Sequence, residues 1–64
     1  MAMNMKQQVT ITCYGQKEKL TRKQALEKYF EGMLYCDGSE RERYTNIYQQ
    51  LIMGYTECSD EEKF

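Results

Sequence analysis

From Gln8 to Tyr14 the chain reads QVTITCY, with Val9, Ile11 and Cys13 on one side and Gln8, Thr10, Thr12 and Tyr14 on the other. A two-residue period rich in β-branched residues predicts a strand with one buried face. That constrains the fold most, because one side of a sheet then needs an apolar cover. Gly15-Gln16 predicts a two-residue type II′ turn, since glycine reaches positive φ without a steric cost. The chain returns as a short charged strand, KEKLT, that suits a sheet edge. This register sets Ile11 opposite Leu20 and Tyr14 opposite Lys17. A lone hairpin is unstable in water, so the cover must come from the rest of the chain.

Residues 21–55 have helical spacing. Thr21 opens a T-x-x-Q capping box with Gln24. Ala25, Leu26, Tyr29, Phe30, Met33 and Leu34 then recur on one side, and Arg22, Lys23, Glu27, Lys28 and Glu31 take the other. Gly32 costs such a helix about 1 kcal/mol relative to alanine, which suggests that another backbone approaches there. Asp37-Gly38 predicts the stop. Ser39, with Glu42 three residues on, predicts a second capping box, and Glu40 and Glu42 suit the positive end of a helix dipole. Tyr44, Ile47, Tyr48, Leu51, Ile52 and Tyr55 make the apolar stripe of this second helix, and Gly54 ends it. The fold class is therefore α+β: a β-hairpin followed by an antiparallel two-helix hairpin (ββαα). It forms one small domain ordered over about residues 7–55. Residues 1–6 are expected to fray, and acidic residues 56–64 to form a mobile tail or one helical turn.

The inward set comprises Val9, Ile11, Cys13, Leu20, Ala25, Leu26, Tyr29, Phe30, Met33, Leu34, Tyr44, Ile47, Tyr48, Leu51, Ile52 and Tyr55. The chain has 64 residues, and a domain this short buries only about 60% of its unfolded surface. Small domains supplement their core with disulfides, metals or self-association. Cys13, Cys36 and Cys58 lie 23 and 22 positions apart and there is no histidine, so no zinc spacing exists. An odd cysteine count without a signal peptide argues for free thiols and a cytoplasmic location, with Cys13 and Cys36 as small core residues. Self-association remains, and an isologous homodimer is its commonest form. Its edge strands would join two hairpins into a four-stranded sheet.

Chemistry is sparse. Without histidine no cysteine has its usual base. The carboxylates stand at helix starts and in the tail, and no phosphate-cradling glycine loop occurs. The chain is read as non-enzymatic, with no catalytic, cofactor or metal residue. No apolar run reaches the roughly 20 residues of a membrane span. The net charge is −1, which disfavours nucleic acid, but it is unevenly distributed. Residues 16–28 carry a local +3 and residues 37–62 a local −5, and such polarity can orient a partner.

Arg41 and Arg43 oppose the dipole of the helix they begin, and an arginine fork suits a partner's carboxylates. Tyr and Met are favoured at interfaces. Arg41, Arg43, Tyr14, Tyr35 and Met53 are therefore the candidate partner-binding residues, for a second copy and for an unidentified protein. The alternative is a helix-turn-helix-like DNA-binding regulator whose second helix reads bases with Arg43, Asn46, Gln49 and Gln50. Glu40 and Glu42 at its tip oppose that alternative.

Residues 9–60 resemble small uncharacterised proteins of gut Firmicutes mobile elements. The resemblance rests on GSERERY at 38–44 and TRKQA at 21–25. It implies a bacterial accessory protein that modulates a larger protein, such as part of a defence system. It carries over no functional residue.

Overall fold

The computed structural model describes residues 4–61. Its elements run β1 (Gln8–Cys13), β2 (Gln16–Thr21), α1 (Arg22–Tyr35), α2 (Gly38–Ile52) and β3 (Glu57–Ser59). The class is α+β, as the periodicities require. The sheet has three strands in the order β2-β1-β3, with β2 antiparallel and β3 parallel to β1. The segment expected to be a mobile tail or a helical turn is thus a strand from Glu57 to Ser59. It fills one of the two edges through which copies of a bare hairpin would join.

The hairpin register differs from the expected one by two residues. Ile11 pairs with Glu18, Val9 with Leu20 and Cys13 with Gln16. Both loop residues, Tyr14 (φ 55) and Gly15 (φ 77), are left-handed. Positive φ at both central positions is the type I′ turn, whose twist matches the flanking strands. Tyrosine is a poor candidate for that backbone, and its amide is held by the Asp60 carboxylate at 3.0 Å. A shift of two keeps every side chain on its expected face. Glu18, now opposite Ile11, stays on the covered side, where its carboxylate meets Lys28 of α1 at 2.8 Å.

Both helices start for local reasons. The Thr21–Gln24 capping box is present in both directions. The next free donors of α1, the Arg22 and Lys23 amides, are accepted by the carbonyls of Gln7 and Met5. Residues 4–6 were expected to fray, yet Met5 thereby helps to cap α1; residues 1–3 and 62–64 lie outside the described residues. The second capping box does not form. Helix α2 begins at Gly38, with Asp37 as N-cap and no side-chain cap bond, so Ser39 already lies inside the helix. Glu40 still occupies the first turn.

Three contacts show that the helices run antiparallel. Arg22 reaches Leu51, the Phe30 ring meets the Tyr48 ring, and Gly32 faces Tyr44. A Cβ on Gly32 would lie 2.7 Å from the Tyr44 ring. The close approach expected at this glycine is therefore made by an aromatic ring rather than by a backbone. The buried hydrophobic core is Val9, Ile11, Ala25, Tyr29, Ile47, Leu51 and Cys58, with Cys13, Leu20, Leu26, Tyr44 and Tyr48 packed partly buried against it. Four residues expected inside, Phe30, Leu34, Ile52 and Tyr55, are exposed. The fully enclosed cysteine is Cys58; Cys13 and Cys36 are only half-buried.

Arg22 corrects another expectation. Instead of lying on the solvent face of α1, it is buried. Its guanidinium donates to the Leu51 carbonyl at 2.7 Å, the Gln7 amide oxygen at 2.9 Å, and the carbonyls of Tyr55 (3.2 Å) and Gly54 (3.3 Å). These carbonyls belong to the end of α2, where a helix has unpaired acceptors and negative dipole charge. One cation from the first turn of α1 thus caps the last turn of α2.

Candidate interaction surface

A helix wheel explains why the expected core is only partly buried. At 100° per residue, Ala25 and Leu34 lie 180° apart on α1, and Ile47 and Ile52 lie 140° apart on α2. A core-facing stripe needs little more than 100°. Each helix therefore carries two adjacent apolar rows, and three strands cover one of them. Ala25 and Tyr29, with Ile47 and Leu51, form the inner rows. The outer rows hold Phe30 (46% exposed), Leu34 (62%) and Ile52 (47%). Phe30 and Tyr48 bridge the two outer rows, with ring centroids 5.8 Å apart. Leu26, one turn before Phe30 on α1, is partly buried against the core. The result is a band of large apolar side chains along the helix pair. Single exposed leucines are ordinary, but a contiguous apolar patch marks an interaction site.

The sequence-based candidates do not form one surface. Tyr14 and Arg43 do come together, with the guanidinium carbon 4.8 Å from the ring centroid. Arg43 also pairs with Asp60 at 2.7 Å, where the Asp60 side chain is only 1% exposed. Burial alone would raise the Asp60 carboxyl, but the Tyr14 amide and the Arg43 guanidinium outweigh it and hold the group below its usual value. Arg41 is exposed, about 200° round α2 from Arg43, and its carbonyl accepts from the Thr45 hydroxyl at 2.7 Å. Tyr35 and Met53 are both well exposed, at the ends of α1 and α2.

Three of the four base-reading candidates are engaged inside the molecule. Gln50 is buried and acts as a clamp on β3. Its amide nitrogen donates to the Ser59 carbonyl at 2.7 Å, and its amide oxygen accepts from the Ser59 amide at 2.9 Å. Asn46 donates to the Asp60 carbonyl, and Arg43 is held by the Asp60 carboxylate. The face of α2 expected to meet a groove therefore packs against the C-terminal strand. Gln49 alone of the four stays exposed.

A cavity of about 310 Å³ between the hairpin and the helices is lined by Cys13, Glu18, Lys28, Tyr29 and Tyr44 among others. Burial and the neighbouring Asp60 push up the thiol of Cys13, in the cavity lining; away from this cavity, burial raises Cys58 to about 11. Among the described residues no group of three or more cysteine or acidic side chains is placed to hold a metal ion. No described helix is long and apolar enough to cross a membrane.

Sequence reasoning placed Phe30, Leu34 and Ile52 in the core and so overlooked them as surface. The signal was available in the width of the apolar arcs, which exceeds what a small sheet can cover. No family model, curated protein or solved structure matches the chain.

Proposed function

We propose that this chain is a small non-enzymatic protein-interaction module. It self-associates through the outer face of its helix pair and, in a bacterial cytoplasm, modulates a larger protein. The observation that carries this reading is the second apolar row, Phe30, Leu34 and Ile52, exposed beside Tyr48 on two helices whose inner rows are already occupied. A 64-residue domain gains most from burying such a row, because its own core is small. A second copy presents the same row, and a two-fold axis in the plane of the helices would stack four helices between two outward-facing sheets. Of the two edges through which hairpins could join, β3 fills one; helix-face stacking is favoured because it buries the exposed apolar row.

Sedimentation equilibrium tests this directly. The mass should rise from the 7.7 kDa of one chain towards twice that value with concentration in the micromolar range. Phe30→Glu combined with Leu34→Glu should hold it at one chain while leaving the far-UV spectrum unchanged, since both side chains lie outside the core. A wild-type mass of 7.7 kDa across that range refutes the self-association.

A further inference from the structure

The two edges of the sheet are treated differently. At β3, the Gln50 side chain takes both the amide and the carbonyl of Ser59, as a neighbouring strand would. At β2 the register leaves backbone groups open. Cys13 and Gln16 flank a two-residue loop, so the hydrogen-bonded pairs are Cys13–Gln16, Ile11–Glu18 and Val9–Leu20. Thr10 and Thr12 accordingly turn their backbone groups the other way. The Thr10 amide donates to Thr56, and the Thr12 carbonyl accepts from Asp60. Their partners across the hairpin, Lys19 and Lys17, must turn theirs outward. The next outward amide, that of Thr21, is already taken by Gln24.

The open stretch also carries charge. Lys17 and Lys19 project from the uncovered face of the sheet, opposite to Glu18, which pairs with Lys28. Among the described residues neither lysine has an ion-pair partner. Their separation of two residues is about 7 Å along a strand, the spacing of acids at alternate positions of an added strand. Lysines on an edge discourage pairing with neutral or basic strands, and the same charges favour an acidic one.

We propose that the β2 edge is a strand-addition site for an extended acidic segment of a partner protein. The segment's backbone pairs with the outward amides and carbonyls of Lys17 and Lys19, and its alternate carboxylates meet the two ammonium groups. This site is separate from the outer helix face, and its test does not depend on the oligomeric state.

The test titrates the isotope-labelled full chain with a capped seven-residue peptide alternating threonine and glutamate, followed by amide resonances at millimolar peptide. Shifts confined to residues 16–21, with slowed exchange of the Lys17 and Lys19 amides, are expected. Two exposed ion pairs together account for roughly tenfold in affinity, so Lys17→Gln with Lys19→Gln should weaken binding by about that factor. The same peptide N-methylated at its glutamate amides keeps its charge but loses the donors of the edge that sets its carboxylates opposite the two lysines, and it should not bind. Absence of binding by the acidic peptide, shifts centred elsewhere, or equal binding of the N-methylated peptide overturns the proposal.

Discussion

Replacing Arg22 with methionine removes the guanidinium while retaining a side chain that fills apolar space. Four acceptors lose their donor, two of them bonded at 2.9 Å or less. Hydrogen bonds from a charged donor contribute about 1.5–3 kcal/mol each, and a buried carbonyl left unpaired costs a similar amount. Two effects reduce the loss. The charge itself is desolvated, and the Nε group is buried without a partner, so removing both relieves a cost. The carbonyls of Gly54 and Tyr55 belong to exposed residues that water can reach. The Leu51 carbonyl, on a fully buried residue, is the least readily hydrated. The net loss is expected at about 2–4 kcal/mol, against a total of about 3–10 kcal/mol for a chain of this length. Urea unfolding followed by far-UV circular dichroism measures it. Arg22→Met should lower the midpoint severely or leave the chain unfolded. Arg22→Lys, which keeps the charge but not the fork, should fall between. A loss below about 1 kcal/mol for Arg22→Met would refute the view that this cation ties the two helices together.

Gln50→Glu deletes the donor to Ser59 and points a carboxylate at its carbonyl, so a loss of about 1–3 kcal/mol is expected; hydrogen exchange should show β3 protection lost before that of the β1–β2 ladder, and uniform loss would contradict the clamp. Gly32→Ala gains about 1 kcal/mol of helix propensity but drives a methyl to 2.7 Å from the base of the Tyr44 ring, so urea unfolding should show net destabilisation. The pH dependence has two limbs. Asp60 is held below its usual value when folded, so its contribution is present above the unfolded carboxyl pKa and is lost as pH falls through the folded one; Asp60→Asn should flatten the acid limb of a urea-midpoint profile. Cys58 is raised from 9.0 to about 11, so its neutral thiol contributes fully below 9.0 and that contribution is lost as pH rises towards 11. In the native state Cys58 should also react with a disulfide reagent more slowly than it does in urea.

Periodicity made most of the fold legible. Alternation located β1, the T-x-x-Q box located the start of α1, and Gly54 marked the end of α2. The hairpin register was not legible, because its turn relies on a left-handed Tyr14 held by Asp60, 46 residues away in sequence. β3 escaped notice because ECS is too short and polar to show a period; its pairing depends on Gln50 and on the edge of β1. Arg22 reads locally as one more cation on a charged helix face, and only the arrival of α2 gives it four acceptors. At the candidate surface, the sequence supplied the right residue types but the wrong positions. It favoured Tyr35 and Met53 at helix ends and placed Phe30, Leu34 and Ile52 inside.

The central claim is that a second copy covers the outer helix face. Isotope-filtered NOE spectroscopy on a mixture of labelled and unlabelled chains tests it most directly, because it registers only contacts between copies. Cross-peaks linking the Phe30 ring and the Leu34 and Ile52 methyl groups of one copy to the same row of another are expected. A concentrated sample with no intermolecular cross-peaks, or with cross-peaks confined to the sheet, would contradict the account.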